Sequence, residues 1–189
     1  MRQRLIVLGY LALFWLGVQV VIRALFLLYN LDLTEQLSTP DILRVFLNGL
    51  KMDMSLSGYF LLAAGLILTV SLFFKNRWSY FILNSLNIFL IVFCTLLASV
   101  DVELYRHWGF RLNNAPLFYM ESAGSAALGS VAVSVVFKLL LICGAITIVF
   151  VFLYDRLVTP RISALEPGKK TDSMVLLVVC ALMIIPIRG

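Results

Sequence analysis

The chain has 189 residues, of which 62% are hydrophobic and 13% are charged, and its mean hydropathy is +1.01. Soluble domains are closer to half apolar and a quarter charged, so a soluble globule of this size could not bury so much apolar surface. The composition therefore predicts a single all-α membrane domain that is solvated largely by lipid. The formal net charge of +5 does not indicate nucleic-acid binding, because the basic residues flank apolar runs instead of covering one soluble face.

Apolar runs along the chain predict about five transmembrane helices, since a span needs roughly 20 mostly apolar residues. The first run is too long for a signal-peptide core and is followed by no small-residue cleavage site, so we expect it to remain as an anchor. The last run is the shortest, and it is expected to span only if the chain continues beyond the bilayer. The predicted spans are residues 5–28, 57–74, 80–100, 134–154 and 173–187.

The charged residues between the spans predict an orientation. The segments on the side of the N-terminus carry eight Lys and Arg residues against three acidic ones, a net charge of +5. The segments on the other side carry five basic residues against seven acidic ones, a net charge of −2. Lys and Arg collect on the cytoplasmic side of membranes. We therefore expect the N-terminus inside and the C-terminus outside.

Two outer segments contain structural signals of their own. In the first, STPDILRVFLNGLKMDMS, Thr39 is the expected cap and Pro40 the first helical residue. Apolar residues recur at helical spacing from Ile42 to Leu50, which predicts an amphipathic helix lying on the outer surface. The second segment, DVELYRHWGFRLNNAPLFYMES, is rich in aromatic and charged residues, which suit the headgroup level of a bilayer.

Polar residues inside the predicted spans need an explanation, because burying them in lipid is costly. We interpret Arg23 as snorkelling to the outer headgroups, with contact to an anionic lipid as the alternative. Lys138 is expected at the membrane interface. Asn84 and Asn87 share one face of the third span, which favours hydrogen bonds between helices over a transport path.

The residue types for common catalytic centres are sparse. Cys94, Cys143 and Cys180 fall inside apolar runs and are expected to pack there, and His107 is the only histidine. No nucleophile with its base, glycine-rich phosphate loop or pair of catalytic carboxylates can be argued. We therefore expect neither catalytic residues nor a bound cofactor in this chain. The charged residues predicted near the outer surface would form either a salt-bridged collar or a site for a lipid headgroup.

Three motifs in the chain resemble the lipoteichoic-acid-synthase-like proteins. GLKMDMS before the second span resembles that family's Gly-x-(Arg/Lys)-x-Asp pattern, although Lys51 stands where arginine is more usual. DVELYRHWGFRLNNAPLFY after the third span resembles its Asp-x-Glu-x-Tyr…Phe-Arg-x-Asn segment, and the terminal IPIRG resembles its Arg-Gly element. The motif order and the five-span plan agree along the whole chain.

The resemblance implies the membrane half of a transferase in the sulfatase-like branch of the alkaline-phosphatase superfamily. An extracytoplasmic domain with a threonine nucleophile and a divalent metal, usually manganese, would follow Gly189. The whole enzyme would move phosphoglycerol or phosphoethanolamine from a phospholipid onto an envelope acceptor in the bacterial inner membrane, with sulfatase or phosphodiesterase chemistry as a variant. The alternative is a freestanding transporter, channel subunit or interaction partner. The small number of polar residues within the spans speaks against this alternative.

On this interpretation the partners of the chain are the bilayer, an anionic phospholipid headgroup and the extracytoplasmic domain. Segments that leave the membrane on the same side would bring charged and polar groups together, where an arginine can hold a phosphate through two hydrogen bonds. The residues expected to form this substrate-binding cluster are Asp53, Asp101, Tyr105, Arg106, Arg111 and Asn113.

Overall fold

The computed structural model describes residues 1–73, 76–113, 118, 133–166 and 168–188. All regular secondary structure within these ranges is helical, which confirms the all-α class. Parts of several predicted features lie outside the described residues. They are the end of the second span at Phe74, residues 114–117 and 119 of the second outer motif, and the terminal Gly189.

Eight helices follow one another along the described residues. They are α1 (Arg2–Tyr29), α2 (Leu31–Thr34), α3 (Thr39–Val70), α4 (Asn76–Trp108), α5 (Val133–Leu157), α6 (Thr159–Ser163), α7 (Asp172–Leu182) and α8 (Ile184–Arg188).

Four helical stretches in the described ranges are long and apolar enough to cross a membrane, as expected of a multi-pass membrane protein. They lie in α1, in α3, in α4 over Trp78–His107, and in α5 with α6 over Val133–Ser163. The fifth predicted span corresponds to α7 and α8, which a turn at Met183 separates. Neither helix alone has the length of a span, so the fifth crossing stays a prediction.

Contacts at both ends of the bundle show that α1 and α4 run in one direction and α3 and α5 in the other. At the amino-terminal end, Arg4 at the start of α1 contacts Ser71 just after α3. At the opposite end of the bundle, which we call the distal end, Arg23 of α1 pairs with Asp53 of α3. The α7–α8 segment returns along α3 from the amino-terminal end, and its Ile187 carbonyl accepts a hydrogen bond from Ser55. Segments far apart in sequence therefore meet at the distal end.

The predicted amphipathic segment is not a separate helix, because its residues form the first turns of α3. Ser38, and not Thr39, is the N-cap, since its hydroxyl accepts from the backbone N–H of Asp41. The α3 helix has 32 residues and is about 48 Å long, which exceeds the hydrocarbon thickness of a bilayer. Gly49 and Gly58 are the weakest helix formers near the expected boundary, and a cost of about 1 kcal/mol each does not break the helix.

Polar side chains link the apolar helices at several levels. Trp15 of α1 donates to Asn87 Oδ1 at 3.0 Å, and Tyr154 of α5 donates to Asn84 Oδ1 at 2.7 Å. These bonds confirm the prediction that both asparagines join helices. A third link joins the hydroxyls of Thr95 and Thr147, 2.7 Å apart.

Close packing holds the α7–α8 segment against α3. A Cβ added to Gly65 would overlap the Cys180 sulfur, and one added to Gly58 would lie 3.3 Å from the Met183 carbonyl oxygen. Small residues allow helices in lipid to approach closely, where dispersion and not the hydrophobic effect drives association. The glycines thus fix α7 and α8 beside α3 and bring Ile187 to the distal end.

Candidate functional site

A cavity of about 810 Å³ opens at the distal end, between α1, α3, α4 and the end of α8. We call it the distal cavity. The three motifs found in the sequence all contribute to its wall, although they lie far apart along the chain. The contributing residues are Lys51, Met52, Asp53 and Ser55 of the first motif, Asp101, Arg111 and Leu112 of the second, and Ile187 and Arg188 of the third.

One wall of the distal cavity is a bidentate ion pair between α1 and α3. The two terminal nitrogens of Arg23 each donate to one carboxylate oxygen of Asp53, both at 2.7 Å. The side chains are 15% and 7% exposed, so water screens the pair weakly. Gly49 lies one turn before Asp53, and its missing side chain leaves room for the guanidinium of Arg23. The pair therefore joins α1 to α3 in a fixed geometry.

A second ion pair lies where α4 ends. Arg111 donates from Nε at 2.9 Å and from a terminal nitrogen at 2.5 Å to one oxygen of Asp101. The other Asp101 oxygen accepts from the backbone N–H of Leu112 at 2.6 Å. Asp101 is buried while the Arg111 side chain is 62% exposed. The Asp101 carboxylate thus holds the chain that follows α4 against the end of that helix. The Arg111 guanidinium retains N–H groups that do not bond to Asp101.

The distal cavity carries a positive net charge. Its charged lining residues are four cations and two carboxylates, which leaves +2. The two carboxylates are those already paired with Arg23 and Arg111. Within the described ranges, Lys51 and Arg188 have no ion-pair partner. An anion entering the cavity would therefore meet two uncompensated cations.

A separate polar cluster lies at the same end, on the side of α4 that faces α5. The buried Glu103 accepts from the Tyr29 hydroxyl and lies 3.1 Å from His107 Nε2 and 3.8 Å from Lys138 Nζ. Lys138 also donates to the Tyr29 hydroxyl, and its ammonium lies 4.5 Å from the centre of that ring. These contacts satisfy Glu103 and Lys138 and place Lys138 beside the end of α1, while its position at the membrane interface stays a prediction.

The structure brings together some of the predicted site residues. Asp53, Asp101 and Arg111 all line the distal cavity. The other three are not among the described lining residues. Tyr105 packs edge-on against Phe26, Arg106 lies over the ring of Tyr29, and Asn113 follows the lining residue Leu112 along the chain.

Sequence reasoning missed Arg23, Gln19 and Arg188 as cavity residues. The snorkelling interpretation of Arg23 is wrong, because its guanidinium turns to Asp53 instead of extending to the surface. Two signals could have indicated this. Gln19 and Arg23 are one turn apart on α1, and Gly49 is one turn from Asp53 on α3, so each pair shares a helix face.

Metal ligands and known relatives add no further assignment. In the part of the chain that the structure describes, no group of three or more His, Cys, Asp or Glu residues is placed to hold a metal ion. Compared with known proteins, the chain matches no family model, no curated protein and no solved structure.

Proposed function

We propose that this chain is the membrane domain of a lipoteichoic-acid-synthase-like transferase, and that the distal cavity holds the headgroup of its phospholipid donor. The observation that carries the proposal is the convergence of the three motifs on one cavity wall. Each motif is separated from the next by at least one long helix, so their meeting is a property of the folded chain and not of its sequence order.

The charge of the distal cavity suits a phosphate. Lys51 and Arg188 have no carboxylate partner among the described residues and would attract the phosphodiester first. Arg111 is exposed enough to turn one edge of its guanidinium to the same phosphate while Asp101 holds the other. Arg23 is engaged by Asp53 on both terminal nitrogens, so its role is to hold the wall and not to bind the phosphate.

The size of the distal cavity fits the same ligand. Cavities of about 300–1,000 Å³ bind small molecules, and its volume of about 810 Å³ lies in that range. A headgroup in this cavity would remain joined to a diacylglycerol within the outer leaflet. We propose phosphoglycerol as the transferred group, with phosphoethanolamine as the variant that the family resemblance allows.

The proposal assigns a place and a partner to the chain. It would lie in the bacterial inner membrane with its N-terminus in the cytoplasm and the distal cavity facing outward. An extracytoplasmic hydrolase-like domain would supply the threonine nucleophile and the divalent metal that the resemblance implies, and would attack the phosphorus of the seated donor. The residues of the distal cavity would bind and orient the headgroup.

The proposal is tested by measuring lipid preference directly. The purified chain is placed in nanodiscs of phosphatidylcholine with a minor fraction of phosphatidylglycerol, and retained lipids are counted by native mass spectrometry. Phosphatidylethanolamine and phosphatidylserine serve as separate arms. We expect retention of phosphatidylglycerol over phosphatidylcholine. Loss of one cation near a bilayer surface changes anion binding by about 1 kcal/mol, or about fivefold.

A matched pair of double variants locates the site. Lys51→Gln with Arg188→Gln should lower the retention of phosphatidylglycerol about 25-fold if the two contributions add. Lys169→Gln with Lys170→Gln removes the same charge before α7 at the other end and should change retention less than twofold. Equal retention of phosphatidylglycerol and phosphatidylcholine by the unmodified chain would contradict the headgroup site, and so would equal effects of the two double variants.

A further inference from the structure

A second cavity lies next to the distal cavity and differs from it in polarity. This apolar groove has a volume of about 280 Å³ and lies between α1, α4 and α5. Its polar lining side chains are Tyr29 and Ser99, and both are already engaged. Tyr29 donates to Glu103, and the Ser99 hydroxyl donates to the Thr95 carbonyl. The groove therefore offers an apolar ligand nothing but hydrocarbon and satisfied polar groups.

Ile22 and Ala98 line both cavities. They belong to α1 and α4, so the distal cavity and the apolar groove meet at the seam between these two helices. Ala98 carries only a methyl group, and neither residue is fully buried. The side chains of Ile22 and Ala98 thus lie between the charged distal cavity and the apolar groove.

Gln19 marks the floor of the distal cavity. Its Nε2 is buried and has no hydrogen-bond partner within the described part of the chain. A buried donor without a partner is costly, so an acceptor is expected there. Gln19 lies one turn before Arg23 on α1, about 6 Å further along the helix axis and away from the distal end. In a glycerophospholipid the ester carbonyls follow the phosphate at a comparable depth, one glycerol unit below it.

We propose that one diacyl phospholipid occupies both cavities, with its phosphate among Lys51, Arg111 and Arg188. An ester carbonyl accepts from Gln19 Nε2, and one acyl chain passes between Ile22 and Ala98 into the apolar groove against α5. The inference rests on the proposed function for the position of the headgroup, and it adds the path of the chain. It makes the α1–α4 seam the place where the donor enters from the bilayer.

The path is tested by mapping where an acyl chain touches the protein. Phosphatidylglycerol and phosphatidylcholine, each with a diazirine in one acyl chain, are photoactivated in nanodiscs, and the labelled peptides are identified by mass spectrometry. We expect the phosphatidylglycerol probe to label the groove wall of α5 between Leu139 and Ile146 at least about fivefold more than the phosphatidylcholine probe, which reports ordinary surrounding lipid.

Two variants at the seam sharpen the test. Ala98→Phe should fill the passage and lower the phosphatidylglycerol-specific labelling of α5 by about fivefold or more. Overfilling a packed space lowers the binding constant of a ligand that must enter it by at least about this factor. Ala145→Phe adds the same bulk on an exposed face of α5 that lines neither cavity, and labelling should stay within twofold. Gln19→Leu should lower retention of the long-chain lipid without lowering the melting temperature, because it removes a buried donor that has no partner in the described part of the chain.

The outcomes separate the path from the headgroup site. Equal labelling of α5 by the two probes, or labelling unchanged by a folded Ala98→Phe variant, would overturn the proposed path of the acyl chain. If the protein still preferred phosphatidylglycerol in that case, the headgroup site would stand. If Ala98→Phe does not fold, the probe comparison on the unmodified chain and the Gln19→Leu retention decide. Absence of any preference for phosphatidylglycerol would overturn both.

Discussion

Gly49 on α3 leaves the space that the guanidinium of Arg23 on α1 occupies, because a Cβ built on Gly49 would overlap three atoms of that group. The guanidinium cannot move aside freely, since Asp53 holds both of its terminal nitrogens. Gly49→Ala should therefore destabilise the chain by about 1–2 kcal/mol, despite the better helix propensity of alanine.

Gly17 provides the control for this substitution. It lies within α1, and an added Cβ there would have no atom within 4 Å beyond its two chain neighbours and the backbone of its own helix. Gly17→Ala should raise the free energy of unfolding by up to about 1 kcal/mol through helix propensity alone. Thermal unfolding in one detergent compares the two variants, and a Gly49→Ala protein as stable as Gly17→Ala would contradict the packing described.

The Arg23–Asp53 pair should show strong coupling in a double-mutant cycle. Arg23→Met leaves a buried carboxylate alone and Asp53→Leu leaves a buried guanidinium alone, so each should cost about 3 kcal/mol or more. The double variant removes both charges and should be more stable than either single variant. Reversible unfolding in mixed micelles measures the free energies. Additive losses would mean that each side chain acts independently of the other.

Arg111 and Arg106 are only five positions apart in the sequence, but their removal should have different effects on lipid binding. Arg111 lines the distal cavity, and its removal also leaves the Asp101 carboxylate without its cation. Arg111→Ala should therefore lower phosphatidylglycerol retention about fivefold or more. Arg106 lies 5.9 Å from the centre of the Tyr29 ring, and Arg106→Ala should change retention less than twofold. Melting temperatures of both variants provide the check on folding, and equal retention would remove Arg111 from the site.

The orientation predicted from the charge count can be tested with reporter fusions. Fusions after Asn76 and Glu166 should report the cytoplasm, and those after Leu37, Asn114 and Gly189 should report the exterior. The fusion after Gly189 is the most informative, because it also tests whether α7 and α8 cross the membrane together. A cytoplasmic signal there would contradict both the fifth span and an outward distal cavity.

The helices could be predicted because lipid solvation demands long apolar runs, a requirement that is local in sequence. The same logic predicted that Asn84 and Asn87 make hydrogen bonds between helices, since an unpaired amide in hydrocarbon is costly. Their partners Trp15 and Tyr154 could not be predicted, because partner choice depends on which helix faces are packed together.

Two errors have the same physical origin. The sequence predicts snorkelling for Arg23 because its distance from the span end allows it, and a single span contains no information about Asp53 on another helix. The amphipathic residues before Lys51 were expected to lie flat because periodicity describes a helix face, not the direction of its axis. Neither a proline nor another strong breaker interrupts α3 after its first turn, so the same periodicity continues into the span.

The polar contacts of α5 have a further consequence for how that helix is positioned. Among the described residues of α5, only Phe150 and Tyr154 are buried by the other helices, and lipid against the exposed face would have no preference for one axial position over another. Lys138, Thr147 and Tyr154 pair with other helices at successive levels of α5. A shift of α5 by one residue, about 1.5 Å along its axis, would stretch all three contacts at once. These contacts therefore fix the axial position of α5 relative to the other helices, while its outer face stays free to exchange lipid.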